Sequence, residues 1–105
     1  MAGEQVPGGN EQIKERQKEK VKEPPMYKVI LHNDDYTTME FVVEVLKKVF
    51  RKPAIEAHAI MMNVHKKGAG VVGTYPYDIA STKVQQTRKM ADEHGYPLKC
   101  TMEAA

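Results

Sequence analysis

The fold is decided at residues 33–42, NDDYTTMEFV, which join a predicted strand to a predicted helix. This joint carries one amide and two carboxylates immediately ahead of an apolar helix face. Asn and Asp suit tight turns because their side chains bond their own backbone, so a purely local role is one interpretation. The other is a binding site, because loops held by a rigid scaffold often carry function.

The residues on either side of the joint predict its strand and its helix. Residues 27–32 alternate between two faces, as a strand does. Thr37 and Glu40 have the spacing of a capping box, which places the start of the first helix near Thr38. Apolar residues then recur at spacings of three and four, the stripe expected of a helix that lies on a sheet. They are Met39, Val42, Val43, Leu46, Val49 and Phe50.

The rest of the chain predicts two further helices and two further strands. Pro53 suits the first position of the second helix, and Gly68 suits its left-handed end. That helix is apolar around much of its girth, so we expect it to be the most buried. A strand follows at residues 71–75, the third helix at 78–94 and the last strand at 98–103. The apolar positions of the second helix include Ile55, Ala59 and Met62, and those of the third are Ala80, Val84, Thr87 and Ala91.

The order strand, helix, helix, strand, helix, strand predicts an α/β (α+β) fold. Elements of these lengths form a two-layer sandwich, in which three helices cover one face of a three-stranded sheet. The last strand alternates apolar and polar residues, as in a sheet with one face in water, and this favours antiparallel strands. We expect residues 26–105 to form this single domain.

Residues 1–25 predict a flexible tail. They contain almost no core-forming side chains and cannot bury enough surface to offset their ordering entropy. Five Glu residues there balance five Lys and Arg residues, which argues against an arm that binds nucleic acid. Pro24 and Pro25 end the tail with a non-helical break.

Composition restricts the class of protein. A net charge of +2 is too small to indicate a polyanionic partner, and the chain has no Trp and two Phe with which to stack bases. No apolar run approaches the length that spans a bilayer, and the first residues do not form a secretion signal. We therefore expect a cytoplasmic protein without a membrane or nucleic-acid partner.

Metal sites and a cysteine nucleophile are disfavoured by spacing. A calcium loop that starts at Asn33 would need Gly where Thr38 stands. His58 and His65 are separated by about 10.5 Å of helical rise, which is too far to share one zinc ion. Cys100, the single cysteine, falls at an inward strand position where a thiol serves as a small apolar side chain. We expect no cofactor.

Four segments together resemble one known family. They are YKVILHNDDYTTMEFVV (residues 27–43), MMNVH (61–65), TKV (82–84) and YPLKCT (96–101). Their order and spacing are similar to those of the ClpS adaptor family over roughly residues 24–105. Thr38 departs from the pattern, because many members have Pro at this position. Since Pro there only presets the helical conformation, we expect a slightly looser joint with unchanged chemistry.

The resemblance implies an adaptor rather than an enzyme. Members bind substrates that begin with Leu, Phe, Tyr or Trp and deliver them to the ClpA unfoldase of the ClpAP protease. The resemblance assigns the substrate's α-amine to Asn33, Asp34 and His65, and the rim of the site to Asp35 and Thr37. It assigns the pocket for the first side chain to five residues: Met39, Val42, Met61, Val64 and Leu98.

The resemblance also implies a second surface and a gate. The contact with the amino-terminal domain of ClpA is expected around Asp78 and Lys83, and the tail is the part expected to enter the unfoldase. Such an adaptor also modulates the substrate choice of ClpA. The residue that matches Met39 acts in this family as a gate against β-branched side chains. We expect a monomer.

Elementary chemistry agrees with these assignments. A free α-amine is cationic near neutral pH and offers three donors, which suit an acidic, amide-bearing turn and a neutral histidine. Charge-assisted bonds contribute about 1.5 to 3 kcal/mol each, and a buried Leu or Phe side chain contributes a similar amount. After the cost of association, about 8 kcal/mol would remain, a micromolar affinity. Replacing Asp34 with Ala is expected nearly to abolish binding and to leave the fold intact.

Two other functions remain open from the sequence. Asp34, Asp35 and His65 are also a possible acid-base set for a small peptide hydrolase, although no nucleophile or metal accompanies them. Lys66 and Lys67, with the lysines of the tail, are the residues of a possible weak nucleic-acid-binding module.

Overall fold

The computed structural model describes residues 24–105, which form three strands and three helices in the predicted order. The elements are β1 (Met26–His32), α1 (Met39–Lys48), α2 (Ala54–Lys67), β2 (Ala69–Pro76), α3 (Tyr77–His94) and β3 (Lys99–Ala104). The predicted tail lies outside the described residues except for Pro24 and Pro25, which belong to no helix or strand.

The sheet is antiparallel throughout, with β1 between β2 and β3. Leu31 lies opposite Gly70 on one side and Cys100 on the other. On the β2 side the register shifts between Val29 and Ile30, where β2 contains one extra residue. The predicted antiparallel pairing is confirmed, and the central strand ends at the joint that precedes α1.

The helices bury one face of the sheet. Val29 and Leu31 of β1 are fully buried, whereas the intervening Ile30 is only partly buried. Helix α3 contacts all three strands, while α1 packs on α2 and α2 on β2. The predicted fold class is therefore confirmed. The inward stripe of α3 is also as predicted, with Ala80, Val84, Thr87 and Ala91 buried.

The predicted cap of α1 is wrong by one residue. Thr38, not Thr37, is the N-cap, and its hydroxyl oxygen accepts a hydrogen bond from the Phe41 backbone N–H at 3.1 Å. The Thr37 hydroxyl instead donates to the Asp34 carboxylate, a stronger acceptor than a neutral group. Where Pro would only preset the backbone, Thr38 supplies a cap hydrogen bond, which contributes about 1 kcal/mol in such positions.

The second helix is not the most buried one. Only Ala57, Met61 and Val64 of α2 are buried, and Ile55 is 87% exposed. The helix lies at the surface, where α1 and β2 cover one stripe of it. Its apolar side chains outside that stripe remain exposed to water. Pro53 is the N-cap of α2 rather than its first helical residue.

Cys100 is a core residue with a suppressed reactivity. Its side chain is fully buried, and burial raises the pKa of the thiol from 9.0 to about 11, with the Thr87 hydroxyl and the Arg88 charge opposing the shift. We expect iodoacetamide to alkylate the native protein at neutral pH at least about a hundredfold more slowly than the denatured chain, because the thiolate is scarce and inaccessible. Mass spectrometry measures both rates on this single cysteine, and equal rates would contradict its burial.

Candidate binding site

One backbone hydrogen bond brings the two parts of the candidate site together. The Asn33 N–H donates to the Gly68 carbonyl at 2.9 Å, which ties the end of β1 to the end of α2. Gly68 caps α2 with φ of 89°, a left-handed conformation that favours glycine. His65 lies in the last turn of α2 and is exposed there. The acidic joint and His65 therefore lie on the same side of the molecule.

Asp34 organises the turn between β1 and α1. Its Oδ1 accepts hydrogen bonds from the backbone N–H groups of Tyr36 and Thr37, both at 2.8 Å. Its Oδ2 accepts from the Thr37 hydroxyl at 2.6 Å. Asp34 therefore stabilises its own turn, as the local interpretation expects, and one acceptor position remains on Oδ2. The neighbouring Asp35 is exposed, and within residues 24–105 its carboxylate accepts no hydrogen bond.

A cavity of about 230 Å³ opens beside this turn. All the residues that the sequence assigned to the amine, the rim and the side-chain pocket line it, with His32 in addition. The predicted residues are Asn33, Asp34, Asp35, Thr37, Met39, Val42, Met61, Val64, His65 and Leu98. The volume is below the roughly 300 to 1,000 Å³ of pockets for drug-sized ligands, which favours a guest the size of one amino acid.

The apolar part of the cavity is preformed. Val42 of α1, Met61 and Val64 of α2, and Leu98 just before β3 are all buried. Met39, the first residue of α1, is 41% exposed. The cavity therefore combines fixed apolar walls with one flexible thioether that water reaches.

Leu98 reaches the cavity because the segment before β3 packs against α1. The Phe41 ring lies 4.6 Å from the Tyr96 ring and 5.2 Å from that of His94, centroid to centroid. Gly95 ends α3 with φ of 75° between these two aromatic residues. Phe41 was not in the predicted apolar stripe of α1, yet it is buried and supports this contact.

His32 is the lining residue that sequence analysis missed. The alternation of residues 27–32 puts it on the face opposite Leu31, and that pattern gives no sign of a cavity. Its Nε2 lies 2.8 Å from the Thr101 hydroxyl oxygen of β3. Burial and then the Lys99 charge lower the pKa of His32, while Glu103 acts in the opposite direction. His32 thus stays neutral near pH 7 and adds no positive charge to the cavity.

Asp78 and Lys83 lie outside the cavity lining. Asp78 is exposed in the first turn of α3. The Lys83 ammonium donates to the Val49 carbonyl at 2.8 Å and lies 5.7 Å from the ring centroids of both Phe50 and Tyr75. A partner that binds Lys83 would therefore compete with a hydrogen bond inside the protein.

Two other kinds of feature are absent from the part of the chain that the structure describes. Within residues 24–105, no three His, Cys, Asp or Glu side chains lie in an arrangement suited to a metal ion. No helix in this range has the length and hydropathy needed to span a bilayer. Among the residues that line the cavity, Asp34 and Asp35 are the two that carry carboxylates.

Comparison with known proteins matches most of this chain. Residues 22–101 match the family model described as ATP-dependent Clp protease adaptor protein ClpS. The ATP-dependent Clp protease adapter protein ClpS of Clostridium acetobutylicum is 59% identical over 87 residues, 83% of this chain and 86% of the relative. That of Acetivibrio thermocellus is 60% identical over 82 residues, 78% of this chain and 83% of the relative.

A solved structure is similar in fold as well as in sequence. It is Agrobacterium tumefaciens ClpS2 bound to L-phenylalaninamide, with a TM-score of 0.77 and 43% identity. The match covers 79% of this chain and 100% of that one. The ligand of that protein has a free α-amine, an aromatic side chain and a carboxamide where a peptide would continue.

Proposed function

Since this chain belongs to the ClpS family of ATP-dependent Clp protease adaptors, we propose that it binds the free α-amine and bulky first residue of substrate proteins. Leu, Phe, Tyr and Trp are the first residues that it would accept. Members of this family are substrate adaptors rather than enzymes. The bound substrate would pass to the ClpA unfoldase of ClpAP for degradation, and binding would also modulate which substrates ClpA takes.

One observation carries this proposal: acceptor groups and buried apolar side chains line the same cavity of about 230 Å³. A protonated amine has three N–H donors. Acceptors for them are the Asn33 amide oxygen, the carboxylates of the turn and a ring nitrogen of His65. The first side chain would then occupy the space between Val42, Met61 and Leu98. The L-phenylalaninamide of the related ClpS2 contains these two recognition elements and little else.

Asp34 and Asp35 would have different roles in binding the amine. Asp34 already accepts three hydrogen bonds from Tyr36 and Thr37, so it would supply charge and fix the shape of the turn, with one acceptor position left on Oδ2. Asp35, which was assigned to the rim, has a carboxylate without such bonds in the described region. We therefore assign the stronger direct contact with the amine to Asp35.

Selectivity and delivery would depend on other residues. Met39 stands partly exposed at the cavity, where it would act as the gate against β-branched first residues, whose side chains are stiff at χ1. Asp78 and Lys83 lie on α3, away from the cavity. A monomer could thus hold a substrate and contact the amino-terminal domain of ClpA at the same time.

The test is a titration with two peptides that differ only in whether Leu or Ala is first. We expect the Leu peptide to bind at least about tenfold more tightly, because a buried Leu side chain contributes about 1.5 to 3 kcal/mol. A third peptide, with Ala first and Leu second, controls for nonspecific hydrophobic binding and should bind like the Ala peptide. Equal affinities would refute the proposal, whereas peptide cleavage during the titration would support the hydrolase alternative.

A further inference from the structure

Met39 separates two apolar concavities. Besides the cavity described above, it lines a groove of about 450 Å³ between α1 and α2. Met61 is the other residue that the two share. The groove is completed by Glu40, Val43, His58 and Met62. Met39 therefore has apolar neighbours on both sides, and it is nevertheless 41% exposed.

The methionines around these concavities differ in access to solvent. Met61, which lines both concavities with Met39, is only 4% exposed. Met62 is 36% exposed, and it lines the groove but not the cavity. Met26 is 37% exposed at the start of β1 and lines neither. Met39 is thus the one cavity methionine within residues 24–105 that a dissolved oxidant reaches readily.

We propose that Met39 is a site of reversible oxidation, at which a peroxide switches off the cavity. The sulfur lone pair attacks one peroxide oxygen and the O–O bond breaks. An S–O bond forms, and the second oxygen leaves as water after taking up the proton that the sulfur-bound oxygen loses. Sulfur is oxidised and the peroxide is reduced. A thiol-driven reductase reverses the change by removing the oxygen as water.

The effect on binding follows from the surroundings of the sulfur. Sulfoxide turns a flexible apolar side chain into a polar one. When a bulky first residue enters between Val42, Met61 and Leu98, the new oxygen must lose water beside apolar groups. Burial of an unpaired polar group is unfavourable enough to weaken binding by about tenfold or more. This consequence rests on the proposed function, whereas the site of oxidation does not.

The experiment oxidises the full chain with graded doses of hydrogen peroxide. Peptide mapping by mass spectrometry gives the sulfoxide fraction at each methionine, and the Kd of a Leu-first peptide is measured at each dose. We expect Met39 to oxidise faster than Met61. The Kd should rise with the Met39 sulfoxide fraction, by about tenfold at full conversion. Methionine sulfoxide reductase with a thiol reductant should restore the starting Kd.

Two variants identify the methionine responsible. In the double variant Met26→Leu with Met62→Leu, Met39 is the exposed methionine that remains within residues 24–105. Oxidation should raise the Kd of this variant for the Leu-first peptide as it does in the natural chain. For Met39→Leu, the ratio of Kd after oxidation to Kd before should stay near one. A double variant that binds unchanged once Met39 is converted would overturn the proposal, as would equal oxidation rates of Met39 and Met61.

A separate result would point to the proposed function instead. If the untreated natural chain fails to bind the Leu-first peptide, the adaptor role of this cavity is refuted. The oxidation rates of Met39 and Met61, measured by mass alone, still decide the modification site.

Discussion

A Leu-first peptide with an acetylated α-amine should bind at least about a hundredfold more weakly than the same peptide with a free amine. Acetylation removes the positive charge and two of the three donors. It also leaves the acceptors of Asn33, Asp35 and His65 facing an apolar methyl group. Hydrogen bonds to charged groups contribute about 1.5 to 3 kcal/mol each, so the loss of two accounts for this factor.

Fluorescence anisotropy of a carboxyl-terminally labelled peptide measures both affinities. The matched control acetylates a Lys side chain near the far end of the peptide and leaves the α-amine free. That peptide should bind like the unmodified one, because a cavity of about 230 Å³ suits the first residue and the far end of the peptide would lie outside it. If both acetylated peptides bind as well as the parent, the amine is not recognised and the polar end of the cavity has another role.

Asp34→Ala should weaken binding of the same Leu-first peptide by about a hundredfold. The substitution removes a negative charge and three hydrogen bonds that shape the turn. The turn at Tyr36 and Thr37 would then lose its fixed shape beside the cavity. Contrary to the expectation from sequence, the fold should not be untouched: we expect a loss of about 1 to 3 kcal/mol in the free energy of unfolding.

Asp35→Asn separates charge from turn structure. It retains the size of the side chain at an exposed position, so its free energy of unfolding should be unchanged while its affinity falls. Asp92→Asn, an exposed aspartate near the end of α3, is the control for net charge and should bind normally. Chemical denaturation and anisotropy are measured on all three variants. An Asp34→Ala protein that binds normally would contradict the role given to the turn.

The sequence predicted those features that depend on local pattern. The stripe of α3 repeats cleanly, and glycines mark the ends of α2 and α3, so these elements are where periodicity placed them. The residues of the cavity came from a resemblance, because no periodicity relates residues 33–37 to His65. They meet through the backbone bond between Asn33 and Gly68, and a side-chain pattern cannot reveal that bond.

The errors have physical reasons of the same kind. Thr37 and Thr38 are both good caps, and the choice fell to Thr38 because Asp34 engages the Thr37 hydroxyl. Ile55 is strongly apolar, but α2 is covered on one stripe only, so it remains exposed. His32 faces away from the core and still lines the cavity, because the chain turns immediately after it. Each outcome depends on a tertiary contact.

The bond from Asn33 to Gly68 joins main chain to main chain. No substitution that keeps the N–H removes it, so the two parts of the cavity stay in register while the side chains around them vary. Specificity can therefore drift without loss of the scaffold. Dependence on this one bond also has a cost. If the ends of β1 and α2 separate on warming, the protein loses recognition of the amine and of the first side chain in one step.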